Sequence, residues 1–184
     1  MPESTSYSRR ERTAYHEAGH AVVGFALRRR VLSVSIAPAG DGSRGRCNYA
    51  PTNRKHLQSK GEAGPQTRRT VERLIMCTLG GVLAEQLATG VENTISKDWP
   101  KAKDLAKRVT ANEREADAYV AWLRLRTEAL LSQPAARAMV DAVAHALLKD
   151  GPQLSGAQAR RIAMGGDATA IRWKLPSITQ RGCR

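Results

Sequence analysis

Apolar residues recur at helical spacing along most of this chain, and the exceptions are as informative as the rule. Tyr15, Ala18, Val22 and Phe25 fall three or four positions apart, which predicts an amphipathic helix from about Arg9 to Leu27 with Ser8 as its cap. Arg28, Arg29 and Arg30 follow where cations meet the negative end of the helix dipole. Val31 to Ile36 then alternates and is rich in β-branched side chains, so it predicts a strand. Gly40-Asp41-Gly42-Ser43 is turn chemistry, and Arg46 to Tyr49 can return as a second short strand. Asn53 to Gln66 is polar and predicts a mobile loop. Helical spacing resumes from Thr67 to Thr89, where Val71, Leu74, Ile75, Leu79, Val82 and Leu83 share one face and Gly90 stands at the capping position. Gly80-Gly81 inside that helix costs about 1 kcal/mol per residue relative to alanine, which implies close helix packing as compensation. Further helices are expected from Trp99 to Thr110, Glu113 to Ser132, Pro134 to Leu148 and Leu154 to Ile162. The expectation is a mainly helical α+β fold: a first helix, a small sheet or hairpin, then a helical bundle. Residues 9–163 form the folded unit, between a flexible stretch at 1–8 and a basic tail at 164–184.

Composition narrows the class. Of 184 residues 41% are hydrophobic, enough for a real core. The apolar run from Ala21 to Leu27 is about a third of a membrane span, and the polar start does not look like a signal segment. Three cysteines (Cys47, Cys77, Cys183) without a CxxC pair fit a reducing compartment, so the cytoplasm is expected. Thirty basic against seventeen acidic side chains give +13, which opens acidic surfaces and nucleic acid as partners. The charge is spread evenly, however, and 4% aromatics offer little for base stacking. A solvated basic surface is the better reading than specific nucleic-acid binding.

One cluster carries chemistry. His16-Glu17-Ala18-Gly19-His20 is an HExxH motif inside the first predicted helix. Spacing of four puts both imidazoles on one helix face, where they can reach one Zn2+ ion. Glu17, beside the first histidine, is placed for a metal-activated water and can act as general base and then general acid in peptide hydrolysis. His56 and His145 are lone histidines and read as ordinary ones. Gly40 to Cys47 has a superficial P-loop spacing, but Arg46 and Cys47 replace the lysine and the hydroxyl residue, so it reads as a hairpin turn.

The stretch Thr13 to Val23, centred on this motif, resembles the peptidase domain of FtsH-type, AAA-linked zinc metalloproteases. Val31 to Pro38, Leu79 to Leu87, Ser96 to Trp99 and Leu154 to Gly156 resemble later segments of that family in the same order. The resemblance implies a third zinc ligand, Asp98, and a carboxylate near the site, Glu85, able to hold a histidine. Asp104 is the fallback ligand. It also implies a zinc endopeptidase acting on unfolded or flexible polypeptides and a six-membered ring of subunits. An ATPase segment is not seen in this sequence, so ATP dependence is doubtful and an unfoldase would act in trans. Lys97 and Trp99 depart from the family's usual neighbours of the aspartate. Two alternatives stand beside this reading: a regulatory metalloprotease that cuts one partner, and a non-catalytic zinc-stabilised adaptor with a basic surface.

Overall fold

Ser8 opens the first helix as the pattern predicts. Its hydroxyl accepts from the Glu11 N–H, and the Glu11 carboxylate accepts from the Ser8 N–H at 2.7 Å, a reciprocal capping box that sets the start of α1 (Arg9–Ala26). In this computed structural model, residues 7–38, 40, 42–52 and 63–165 are described. The expectations for residues 1–6, for His56, for most of the 53–66 loop and for the tail beyond Gly165 lie outside them. Arg28 takes φ 56° just after α1, a left-handed turn that swings the chain into β1 (Val31–Ser35).

β1 is the middle of a three-stranded antiparallel sheet in the order β2-β1-β3, with β2 at Arg46–Tyr49 and β3 at Gln153–Ser155. Val34 stands opposite Cys47 on one side and Leu154 on the other. Residues 42–45 thus lie in the connection of a β1–β2 hairpin. The third strand is a correction to the sequence reading, which began the last helix at Leu154. Three residues carry too little pattern to declare a strand, and only pairing with β1, far away in sequence, makes one. Ser155 nevertheless caps the last helix, α6 (Gly156–Ala163), with Gln158 completing the box.

α2 (Pro65–Thr89) begins on a proline, two residues earlier than the stripe suggests. It ends at Gly90, whose φ of 72° lets its N–H reach the Gln86 carbonyl. Its glycines explain themselves where it meets α1. A β-carbon on Gly19 would collide with the Gly80 carbonyl and with Ala84, and one on Gly80 would stand 2.9 Å from Val23 Cγ2. The two backbones touch at that point, so the helix propensity lost at Gly80 is offset by packing.

α3 (Asp98–Ala106) is shorter than expected. Arg108 and Val109 bond three residues back, to Leu105 and Ala106, so the helix tightens and stops before Asn112 caps α4 (Glu113–Leu131). α5 (Pro134–Lys149) closes the bundle against α1. Ile75, Leu79, Leu83, Leu123, Leu131 and Leu147 are fully buried in one continuous core. The fold is therefore mainly helical α+β, with six helices and a small sheet among the described residues. No helix among them is long and apolar enough to cross a membrane.

Candidate metal centre

α1 aims two imidazoles at the same point, and α3 brings a carboxylate to meet them. His16 Nε2 lies 3.2 Å from His20 Nε2, and Asp98 Oδ2 lies 3.0 Å from the first and 3.4 Å from the second. Among the described residues, this trio offers three potential ligand atoms close enough to hold one ion. Asp98 sits in the first turn of α3. Ser96 receives the Asp98 N–H on its hydroxyl and donates that hydroxyl to Oδ2, fixing the carboxylate.

The second nitrogen of each ring is already occupied. His16 Nδ1 donates to Glu85 Oε2 at 3.1 Å, and His20 Nδ1 donates to the Cys77 carbonyl at 2.8 Å. These partners assign a proton to Nδ1 of each ring and turn both Nε2 atoms toward each other and a carboxylate oxygen. Such a triangle attracts positive charge. Burial opposes a charge on His16, yet the hydrogen bonds it donates to Asp98 and Glu85 outweigh it and lift the imidazole to about 10. Burial likewise pushes Asp98 up, but its bonds to His16 and His20 win and hold it far below the usual carboxylate range.

The donor set fits zinc. Ligands at about 2.0–2.1 Å in tetrahedral array stand roughly 3.3–3.4 Å from one another, and the triangle has edges of 3.0, 3.2 and 3.4 Å. Two imidazoles and one carboxylate leave a fourth position for water or substrate. Gly81 of α2 makes the room. A β-carbon there would stand 2.7 Å from His16 Nε2 and would collide with His20 Nε2.

Glu17 is only 6% exposed and lies beside the triangle, outside it. Burial raises its pKa, while His20 and His16 pull it back only in part. Gly45, just before β2, packs directly on it: a β-carbon there would be 2.7 Å from Glu17 Oε1. Glu85, 3% exposed on α2, accepts from His16 Nδ1, and it is held in turn. Arg12 donates to its Oε1 from Nε at 2.8 Å, and Asn93 Nδ2 donates to Oε2 at 3.2 Å. Burial alone would raise the Glu85 carboxyl, but the bonds from His16, Asn93 and Arg12 depress it.

Arg12, Asn93 and Gly81 were not singled out in the sequence as parts of this site. Arg12 stands four residues before His16 and so shares its helix face, a signal that was available. Gly81 is four residues from both Cys77 and Glu85, on one stripe of α2. Asn93 offers no comparable signal. Asp104 is exposed and outside the trio, and His145 bonds the Asp141 carbonyl away from it. The cleft over the triangle has a volume of about 880 Å3 and is bordered by the start of α1, the hairpin and the approach to α3.

Comparison with known proteins gives a consistent family. The description "Peptidase family M41" matches residues 3–118, more than half of the chain. An ATP-dependent zinc metalloprotease FtsH from Rhodothermus marinus is 38% identical over 95 residues, covering 48% of this chain and 12% of that protein. One from Methylibium petroleiphilum is 35% identical over 107 residues, 54% of this chain and 16% of the relative. The mitochondrial FTSH 3 of Arabidopsis thaliana, also named an ATP-dependent zinc metalloprotease, is 37% identical over 95 residues, 48% of this chain and 11% of its own length. The matched stretch is thus a small part of each of these curated relatives.

Proposed function

Because the chain belongs to peptidase family M41, we propose that it is a zinc-dependent endopeptidase unit, spanning residues 9–163, that hydrolyses peptide bonds in unfolded or flexible polypeptides. His16, His20 and Asp98 would hold the ion. When bound, zinc would supply Lewis-acid polarisation of the scissile carbonyl and a lowered pKa for water. The chain's own residues do the rest. Glu17 takes a proton from the attacking water and hands it to the leaving amine, so one carboxyl serves as base and then acid. Its burial supports this, because a carboxylate with a raised pKa is a stronger base than an exposed one. Glu85 keeps the His16 ring in the orientation and tautomer that present Nε2 to the cleft.

The observation that carries this reading is the triangle of Nε2, Nε2 and Oδ2 atoms with edges of 3.0–3.4 Å, backed by occupied Nδ1 atoms. The family resemblance adds self-association into a six-membered ring and an unfoldase acting in trans, and the cysteine usage adds a cytoplasmic setting; these belong to the same proposal. The experiment is hydrolysis of unfolded casein by zinc-loaded protein beside Glu17→Gln. Cleavage that a chelator stops and the variant lacks is the expected outcome. Cleavage that persists undiminished in Glu17→Gln would refute the role given to this carboxylate, and none by either form, with zinc bound, would refute the peptidase itself.

A further inference from the structure

The cleft over the metal triangle has an uneven distribution of charge. Its three acidic side chains among the described residues, Glu17, Glu85 and Asp98, are all buried at its floor, at 3–6% exposure. Glu85 is held by Arg12, His16 and Asn93, and Asp98 by the two histidines and Lys101. Among the described residues, the exposed charged side chains that line the same cleft are all cationic: Arg9 from the start of α1, Arg44 and Arg46 from the hairpin, and Lys97 and Lys101 from the approach to α3. Three separate elements thus place basic groups around one opening, and no described acidic side chain lines its rim. Ile95, 93% exposed, stands among them as an apolar contact.

We infer that the cleft selects acidic polypeptide segments, with Asp or Glu flanking the bond to be cut. The inference rests on the peptidase reading and names the substrate class for that site. A peptide crossing the triangle must pass the rim. There, carboxylates are drawn to guanidinium and ammonium groups, while Lys and Arg meet like charge. The overall balance of +13 strengthens the attraction at a distance, and the rim converts it into position. A nucleic acid would answer the charge equally well, but among the described residues the cleft offers no exposed aromatic platform for bases. Tyr7 and Tyr49, the aromatic side chains that line it, are both partly buried.

The test uses three rhodamine-labelled dodecapeptides that differ only at four positions, filled with Glu, Gln or Lys, and follows their binding to zinc-loaded Glu17→Gln protein by fluorescence anisotropy. The Glu peptide should bind at least tenfold tighter than the Gln peptide in 50 mM salt, and the Lys peptide weaker than both. In 300 mM salt the advantage should fall below threefold, because the screening length shortens. The triple variant Arg9→Ala, Arg44→Ala, Lys97→Ala should lose the advantage. Removing the same charge elsewhere, with Arg108→Ala, Lys149→Ala and Arg161→Ala, should keep it. Equal binding of the three peptides, or a preference that survives the cleft variant, overturns the inference. So does tighter binding of a single-stranded oligonucleotide of the same charge.

Cleavage by the unaltered, zinc-loaded protein separates the two readings. Hydrolysis of all three peptides with equal kcat/KM overturns the acidic preference and leaves the peptidase standing. An intact binding preference with no hydrolysis of any peptide overturns the peptidase and leaves the binding surface.

Discussion

Gly45 faces Glu17 so closely that a single added methyl group at Gly45 would stand 2.7 Å from Oε1 of that carboxylate. The hairpin therefore bounds the space in which Glu17 can move, although the two residues belong to different elements. Gly45→Ala should displace the carboxylate without touching the metal triangle. The expected result is a fall in kcat of at least tenfold with zinc content unchanged, read by peptide hydrolysis and elemental analysis of the same sample. A variant with full activity would show that the position of Glu17 is not set by this contact.

Gly81 should behave in the opposite way. Alanine there intrudes on both Nε2 atoms, so zinc affinity should drop by at least tenfold in competition with a chelator. Gly80→Ala, one residue away, meets Val23 and the Gly19 carbonyl instead. Its expected cost is about 1–3 kcal/mol of stability from overpacking, seen in urea titration, with zinc affinity much less changed. Neighbouring glycines then separate into one that serves the site and one that serves the seam.

The chain of contacts from Arg12 through Glu85 to His16 predicts graded effects. Glu85→Gln presents an amide NH2 toward a group that is itself a donor, whichever way it turns. A loss of about 10–100-fold in zinc affinity is expected, the usual range for partners of metal-binding histidines. Arg12→Ala leaves the Glu85 carboxylate in place, so the loss should be under threefold. Equal effects of the two substitutions in the chelator competition would contradict this order.

Tyr119 joins α4 to α2 by donating its hydroxyl to Glu72 Oε1 at 2.9 Å. Tyr119→Phe should cost about 1 kcal/mol at pH 8. Burial, and then the Glu72 carboxylate, push the Tyr119 phenol above its ordinary value. A raised pKa in the folded state favours the neutral phenol, so this stabilisation is fully present below the unfolded value of about 10 and is lost as pH rises through the folded one. The gap between parent and variant should therefore narrow between pH 8 and pH 11 in urea titrations. A gap that widens would reverse the sign of the argument.

The most legible parts of the molecule were those whose signal is local. Ser8 and Glu11 announce the start of α1, Gly90 announces the end of α2, and the HExxH spacing fixes which face of α1 carries both imidazoles. Asp98 needed the family resemblance, since nothing in its own neighbourhood says that a carboxylate 78 residues beyond His20 comes back to it. β3 shares that difficulty, because it gains its role from a partner far away in sequence. Asn93 lies only eight residues from Glu85, but past the end of α2, where no periodic pattern marks it. Gly81 was read for packing alone. A missing side chain says that something comes close, and only the fold shows that the visitor is an imidazole pair.

The order of synthesis gives one of these distances a further meaning. The two histidines leave the ribosome before their partners: Glu85 bonds His16 from 69 residues away, and Asp98 lies later still. A nascent chain thus carries the motif long before it has the third ligand or the helix that orients the rings. The triangle of donor atoms closes only after α2 and α3 have docked, so an unfinished copy of this chain would lack the complete donor set.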